Sequence, residues 1–121
     1  QVERMDAHGG WQMSTDDLVR FSRSLDDGKL LSKPSMAAMV TPIPNSCNYG
    51  LGWFTHMDGH RWHGGALQGT ASILAKVPHQ GGMTWALNTN TTGVCPGLDD
   101  LDPFAWTCVD AVLALTRQPH T

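Results

Sequence analysis

The sequence predicts an α+β fold in which helices pack on an antiparallel sheet. Three observations support this class. A capped, helix-periodic segment lies near the start, four extended segments with glycine-containing turns follow, and a second helix-periodic segment lies near the end. A chain of 121 residues is long enough for one domain with a hydrophobic core. We therefore expect a single unit over residues 1–121.

The first helix is predicted in the segment STDDLVRFSRSLDDGKLL. Ser14 or Thr15 is a suitable N-cap, two aspartates follow where the helix dipole favours anions, and Gly28 is a suitable stop. A second, short helix is predicted in SKPSMAAMV, with Pro34 in its first turn. The apolar residues at helical spacing on one face of the first helix are Leu18, Phe21 and Leu25.

Four strands are predicted in the middle of the chain, in YGLGWFTHM, HRWHGG, TASILAKVP and MTWALNTN. Asp58-Gly59 separates the first two strands and HQGG the last two, and both are typical of hairpin turns. The apolar content of the last two strands indicates partial burial on both faces. A final helix is predicted with Asp102 as cap and Pro103 as its first residue, and we expect it to cover the sheet.

Charge and hydropathy exclude some functions. The formal net charge is −3, from 8 basic and 11 acidic residues without a basic cluster, so a nucleic-acid partner is not expected. No apolar run reaches the roughly 18 residues of a membrane span, and the first residues lack the apolar core of a signal peptide. Cys47, Cys95 and Cys108 lack zinc spacing. They fit three buried thiols, or one disulfide with a free thiol, with Cys47–Cys95 as one pairing.

Histidines cluster around the predicted hairpin, in HRWHGGALQG and just before it. With a two-residue turn at Asp58-Gly59, His56 pairs with Arg61 and shares its face with His63, whereas His60 points to the opposite face. Three histidines then do not converge, and the arginine repels cations. We therefore expect no metal site and no cofactor.

No serine of the chain has the surroundings of a nucleophile. None is followed by lysine at the third position, and none lies in G-x-S-x-G. Ser46-Cys47-Asn48 matches a loose S-x-N pattern, which we interpret as a polar turn. Capping explains most of the aspartates at helix ends and in loops, which are Asp16, Asp17, Asp26, Asp27, Asp99, Asp100 and Asp102.

The segment His63-Gly64-Gly65-Ala66 has two interpretations. Its two glycines allow close approach of a ligand or another chain, and the same pattern fits a bulge or strand end with an incidental histidine.

Several segments together resemble the C-terminal part of the serine β-lactamase and penicillin-binding-protein superfamily, on the branch of class C β-lactamase-related esterases and DD-peptidases. The likeness extends over residues 6–116 and follows the family's order. The matching pieces are GGWQMSTDDLVRFSRSLDDGKLL, YGLGW, HGGALQGTASILAKVP, GGMTWALNTN and the final helix.

The resemblance implies an H-x-G active-site strand. In this family such a strand forms one wall of the active site. The other two signatures of the site are S-x-x-K and Y-x-N or S-x-N. By position, His63 would assist proton transfer or hold a substrate carboxylate or carbonyl. Gly64 and Gly65 would bind substrate along a flat wall, and the Ala66 backbone N–H would be one oxyanion-hole donor. Histidine in place of lysine favours an ester or amide substrate over a classical β-lactam.

The chain lacks S-x-x-K, so it resembles a C-terminal fragment whose nucleophile lies upstream. We expect it to be inactive alone, and the full-length parent to be an extracytoplasmic serine hydrolase of esters, amides, peptides or lactams. Without the family's N-terminal strands, self-association or marginal stability is expected. The alternatives are a non-catalytic binding module on the same fold, and an unrelated small α+β interaction module.

Overall fold

The computed structural model describes residues 4–78, 82–90, 106–108, 110–111 and 114. The described part contains a four-stranded antiparallel sheet of order β1-β2-β3-β4, together with helices, which confirms the α+β class. No helix in these ranges is long and apolar enough to cross a membrane. The elements are α1 (Thr15–Asp26), α2 (Lys33–Val40), β1 (Phe54–Thr55), β2 (Arg61–Leu67), β3 (Thr70–Val77) and β4 (Met83–Thr89).

The two predicted N-terminal helices are confirmed, and local signals explain their ends. Ser14 is the N-cap of α1, and its hydroxyl accepts the Asp17 backbone N–H at 3.1 Å. Gly28 follows the helix with a φ of 70°, which glycine adopts without steric cost. In α2 the cap is Ser32, with Pro34 in the first turn.

One face of the sheet packs against α1 and α2. Leu25 of α1, Trp53 before β1 and Leu74 of β3 are buried together. Phe21 is 37% exposed and lies outside this core, whereas Leu18 packs at the core margin. The other partly buried side chains around this core are Leu31, Met36, Met39, Val40 and Ala86.

The opposite face of the sheet carries an aromatic cluster. Trp62 of β2 and Trp85 of β4 each meet the ring of Trp106 edge-on, at centroid distances of 5.8 and 5.9 Å. On β3, Ile73 is buried on this face and Leu74 on the other, so the predicted burial of β3 on both faces is confirmed.

The predicted last helix lies only partly within the described residues. Helical conformation is present at 106–108, 110–111 and 114. The expected cap Asp102 and first helical residue Pro103 lie outside the described residues, as does most of the turn between β3 and β4. Trp106 of this helix contacts the sheet at Trp62 and Trp85.

The register of the first hairpin differs from the prediction by one residue. Thr55 pairs with Arg61, so the predicted pairing of His56 with Arg61 was wrong. The His56 backbone N–H instead donates to the His60 carbonyl at 2.8 Å, which closes a three-residue loop. Gly59 has a φ of 87°, as expected for a three-residue hairpin loop that ends in a left-handed residue.

The segment before β1 was predicted as a strand but forms a tight turn. The backbone N–H of Gly50 donates to the Trp53 carbonyl, and that of Leu51 to the Met39 carbonyl, both at 2.8 Å. A Cβ on Gly50 would collide with the Met39 carbonyl oxygen, so glycine is required here. Only Phe54–Thr55 remains extended as β1.

The described cysteines are not buried. Cys47 and Cys108 are free thiols and both are exposed, so the interpretation of three buried thiols was wrong. Cys95, the suggested partner of Cys47, lies outside the described residues.

Candidate functional site

His63 and Gly65 of β2 lie on the same face of the sheet, the face that α1 covers elsewhere. Their partners across the β2–β3 ladder are Leu74 and Ser72, and both His63 and Gly65 are exposed. Gly64 between them belongs to the opposite face. Strand alternation therefore separates the two glycines of the motif, and only Gly65 lies beside His63.

The surface over Gly65 is open. A Cβ placed on this residue would have no neighbouring atom within 4 Å. Beside it, the Ser72 hydroxyl donates to Asn88 Oδ1 at 2.8 Å, and Asn88 Nδ2 donates to the Met13 carbonyl at 3.2 Å. These bonds form a polar row across β3 and β4 and attach the segment before α1 to the sheet. The sequence patterns did not single out Ser72 or Asn88 as members of a site.

Tyr49 is the aromatic neighbour of His63. Their ring centroids are 6.0 Å apart with an interplanar angle of 55°. Tyr49 also meets Phe54 edge-on at 4.7 Å, and its backbone N–H donates to Ser46 Oγ at 3.1 Å. The loop before β1 thus provides one wall beside the imidazole. Tyr49 lies in the YGLGW segment, but sequence reasoning assigned it no role at the site.

The Ala66 backbone N–H points towards the free edge of β2. Two-residue hairpin loops close on a hydrogen-bonded pair, here Leu67 with Thr70, and such pairs alternate along an antiparallel ladder. Gly64 and Ala66 therefore direct their polar backbone groups away from β3. Since β1 pairs only with Arg61 and Trp62, no strand within the described ranges covers that edge beside Ala66.

A groove of about 500 Å³ lies along His63 and Gly65. The segment that precedes α1 forms its other wall, with Met5, His8 and Trp11. Trp11 is 69% exposed and also borders the neighbouring groove over Asn88. Trp11 thus presents a large apolar surface at the rim of the groove. Trp11 was not predicted as a site residue, because only the folded chain brings it to the groove.

Arg61 is on the His63 face but is engaged with α1. Its Nη2 donates to Asp26 Oδ1 at 2.5 Å, and its guanidinium lies 5.5 Å from the Trp53 ring centroid. Lys76 also donates to Asp26. Burial raises the pKa of Asp26, but the hydrogen bonds from Lys76 and Arg61 outweigh it, so the net pKa lies below the usual value.

The two histidines at the hairpin turn are held by Asp58. His56 Nδ1 lies 2.8 Å from Asp58 Oδ1, and His60 Nδ1 lies 3.6 Å from Asp58 Oδ2. Desolvation opposes ionisation of Asp58, but hydrogen bonds from the His56 side chain and the His60 backbone outweigh it and lower the pKa. His56 faces His60 and not His63. Within the described residues no group of three possible metal ligands is present.

Comparison with known proteins gave no further assignment. No family model, no curated protein and no solved structure matches the chain.

Proposed function

We propose that this chain provides the H-x-G strand of a β-lactamase-related serine hydrolase of the esterase, DD-peptidase or β-lactamase type. The observation that carries the proposal is the placement of His63 and Gly65. Both are exposed on one face of β2, beside a groove of about 500 Å³. The ordered likeness of the sequence segments to that superfamily supports the same function.

Each residue of the motif would have a role that follows from its position. His63 would exchange a proton with the reacting group or hold a substrate carbonyl or carboxylate. Gly65 would keep the strand flat against the substrate, since a side chain there would project into the groove. Gly64, which was expected to share this role, belongs to the opposite face of β2. The Ala66 N–H at the open edge would donate to the oxyanion, a contact worth about 3 kcal/mol in the transition state.

The nucleophile of this reaction would belong to a part of the protein outside these 121 residues, which contain no S-x-x-K. The chain alone should therefore not turn over an ester, an amide or a lactam. A nucleophile, its base and the oxyanion hole act as one unit, so removal of one member abolishes most of the rate. The substrate would be a small ester, amide, peptide or lactam that lies along β2.

The test is active-site labelling of the full-length parent protein with a fluorophosphonate or a fluorescent penicillin. His63→Ala should slow acylation or deacylation by about 100-fold or more, as expected for loss of a general acid–base group. His56→Ala is the matched control, because His56 lies on the hairpin turn and does not line the groove. An unchanged rate in His63→Ala removes this residue from the site, and labelling of the isolated chain contradicts the claim that it lacks the nucleophile.

A non-catalytic binding module is the second candidate. The exposed Trp11 at the groove rim favours it, since a binding site needs no nucleophile. The complete reading frame of the parent protein would distinguish the two functions. A parent with neither S-x-x-K nor a Y-x-N or S-x-N element upstream would exclude the hydrolase and leave the binding module.

A further inference from the structure

The groove beside His63 continues into a second groove over Asn88. The second groove has a volume of about 760 Å³, and Trp11, Leu67 and Thr70 line both grooves. His63 and Leu67 are four residues apart on the same face of β2, a distance of about 13 Å along an extended strand. A ligand at His63 can therefore extend along β2 as far as Leu67, where Trp11 also borders the grooves.

The wall opposite β2 is attached to the sheet on both sides of Trp11. A Cβ on Gly9 would lie 3.6 Å from Met5 Cε and 3.9 Å from Leu67 Cδ1, so the turn that contains Gly9 packs against the end of β2. The Met13 carbonyl accepts a hydrogen bond from β4 at 3.2 Å. These contacts fix the segment that places the Trp11 indole at the grooves.

The walls of both grooves are uncharged. Charged residues make up 16% of the chain, yet within the described residues no Asp, Glu, Lys or Arg lines either groove. Arg61 and Lys76 of the sheet donate to Asp26 and border neither groove. A ligand carboxylate would therefore lose hydration without gaining the contact of a fixed cation.

The hydroxyl groups that line the grooves also favour an uncharged ligand. Thr70 Oγ1 donates to the Thr89 carbonyl at 2.9 Å, and Ser72 Oγ donates to Asn88 Oδ1 at 2.8 Å. A hydroxyl has one proton, so both oxygens have only lone pairs left for a ligand. Lone pairs accept hydrogen bonds from an amide N–H but repel a carboxylate.

We propose that the substrate of the groove at His63 is an uncharged ester or amide with an aromatic group that lies against Trp11 and Leu67. Trp11 is 69% exposed and offers the apolar surface for that group. The inference rests on the proposed hydrolase function and narrows it to neutral substrates, because a peptide with a free C-terminus carries a carboxylate that these walls disfavour.

The probes are N-phenylacetylglycinamide and N-phenylacetylglycine, which differ only in an amide against a carboxylate. Each is added to the ¹⁵N-labelled chain at constant pH and ionic strength, and the readouts are the Trp11 indole N–H and Gly65 backbone N–H signals. We expect saturable shifts of both signals with the amide and at least about tenfold weaker binding of the carboxylate. The chain contains no S-x-x-K, so the experiment measures binding without turnover.

Three variants test the assignment of the walls. Trp11→Ala should weaken binding of the amide by about tenfold, whereas Leu30→Ala, at an exposed apolar residue that lines neither groove, should leave it unchanged. Gln68→Lys adds a cation to the second groove and should strengthen binding of the carboxylate by about twofold to fivefold.

Equal or tighter binding of the carboxylate by the wild type, binding of neither probe, or an unchanged affinity in Trp11→Ala would overturn this inference. None of these outcomes affects the labelling test of His63→Ala in the parent protein. Conversely, an unchanged labelling rate in His63→Ala would contradict the hydrolase function without altering the preference of the grooves for a neutral ligand.

Discussion

Asp26, the last residue of α1, accepts a hydrogen bond from Arg61 of β2 at 2.5 Å, although the two residues are 35 positions apart. Lys76 of β3 donates to the second oxygen of the same carboxylate. One carboxylate thus joins the helix to two adjacent strands, with the Arg61 guanidinium packed on the Trp53 ring. This is the charged contact that fixes α1 over the sheet.

Asp26→Asn should therefore destabilise the fold more than a neighbouring substitution does. The amide removes the negative charge opposite two cations, one of which is buried, and we expect a loss of about 1–3 kcal/mol in the free energy of unfolding. Urea denaturation followed by tryptophan fluorescence measures it. The matched control is Asp27→Asn, because Asp27 has only an exposed pair with Lys29 at 3.7 Å and should change stability by about 0.5 kcal/mol or less. Equal effects of the two variants would contradict this role of Asp26.

The same contact predicts a pH dependence in the acid range. Because the pKa of Asp26 is lowered in the folded state, its stabilising contribution is complete above the unfolded pKa of about 3.9 and disappears as pH falls through the folded pKa. Unfolding free energies between pH 6 and pH 2 should fall more steeply for the wild type than for Asp26→Asn. Some slope should remain in the variant, since Asp17 and Asp58 also have lowered pKa values. Parallel curves would show that Asp26 does not ionise against Arg61 and Lys76.

Local signals explain why the helices were predictable and the hairpin register was not. Ser14 and Ser32 cap their helices with hydrogen bonds to residues three positions on, so their roles are readable from the sequence. An Asp-Gly pair fits hairpin loops of two or three residues, and the choice depends on the pairing of His56 with His60. The sequence predicted the turn but not the face on which His56 lies.

The candidate site was predictable only in part, for a similar reason. The placement of His63 and Gly65 on one face follows from strand alternation alone. Tyr49, Trp11 and the Asp26–Arg61 pair depend on contacts between distant segments, which no periodicity encodes. Asp26 in particular was attributed to helix capping, whereas its carboxylate binds two strands.

Two glycines offer a matched pair of substitutions that differ in the space around the added Cβ. Gly50→Ala should cost about 1–3 kcal/mol, because the added Cβ would collide with the rigid Met39 carbonyl. Gly65→Ala meets no atom within 4 Å and should leave stability unchanged or raise it by up to about 1 kcal/mol. Thermal and urea unfolding of the isolated chain check both values. A Gly65→Ala protein as unstable as Gly50→Ala would show that the surface over Gly65 is not open.

β4 is an edge strand of the described sheet, and this position predicts self-association of the chain. β4 is the last strand in the sheet order, and its pairs with β3 include Trp85 with Ala75. By the alternation of the ladder, Thr84 directs its N–H away from β3, towards an edge that no described strand covers. Such an edge is a template for strand addition from a second chain. We expect concentration-dependent dimers or larger species in sedimentation velocity.

Thr84→Pro tests whether this edge is the interface. Proline removes the outward N–H without removing a hydrogen bond to β3, so it should weaken association by about tenfold or more while the monomer stays folded. Thr84→Val is the matched control, because it retains the N–H and the branched side chain and should associate like the wild type. A wild-type chain that is monomeric at all concentrations contradicts the prediction, and equal association of both variants would place the interface elsewhere on the molecule.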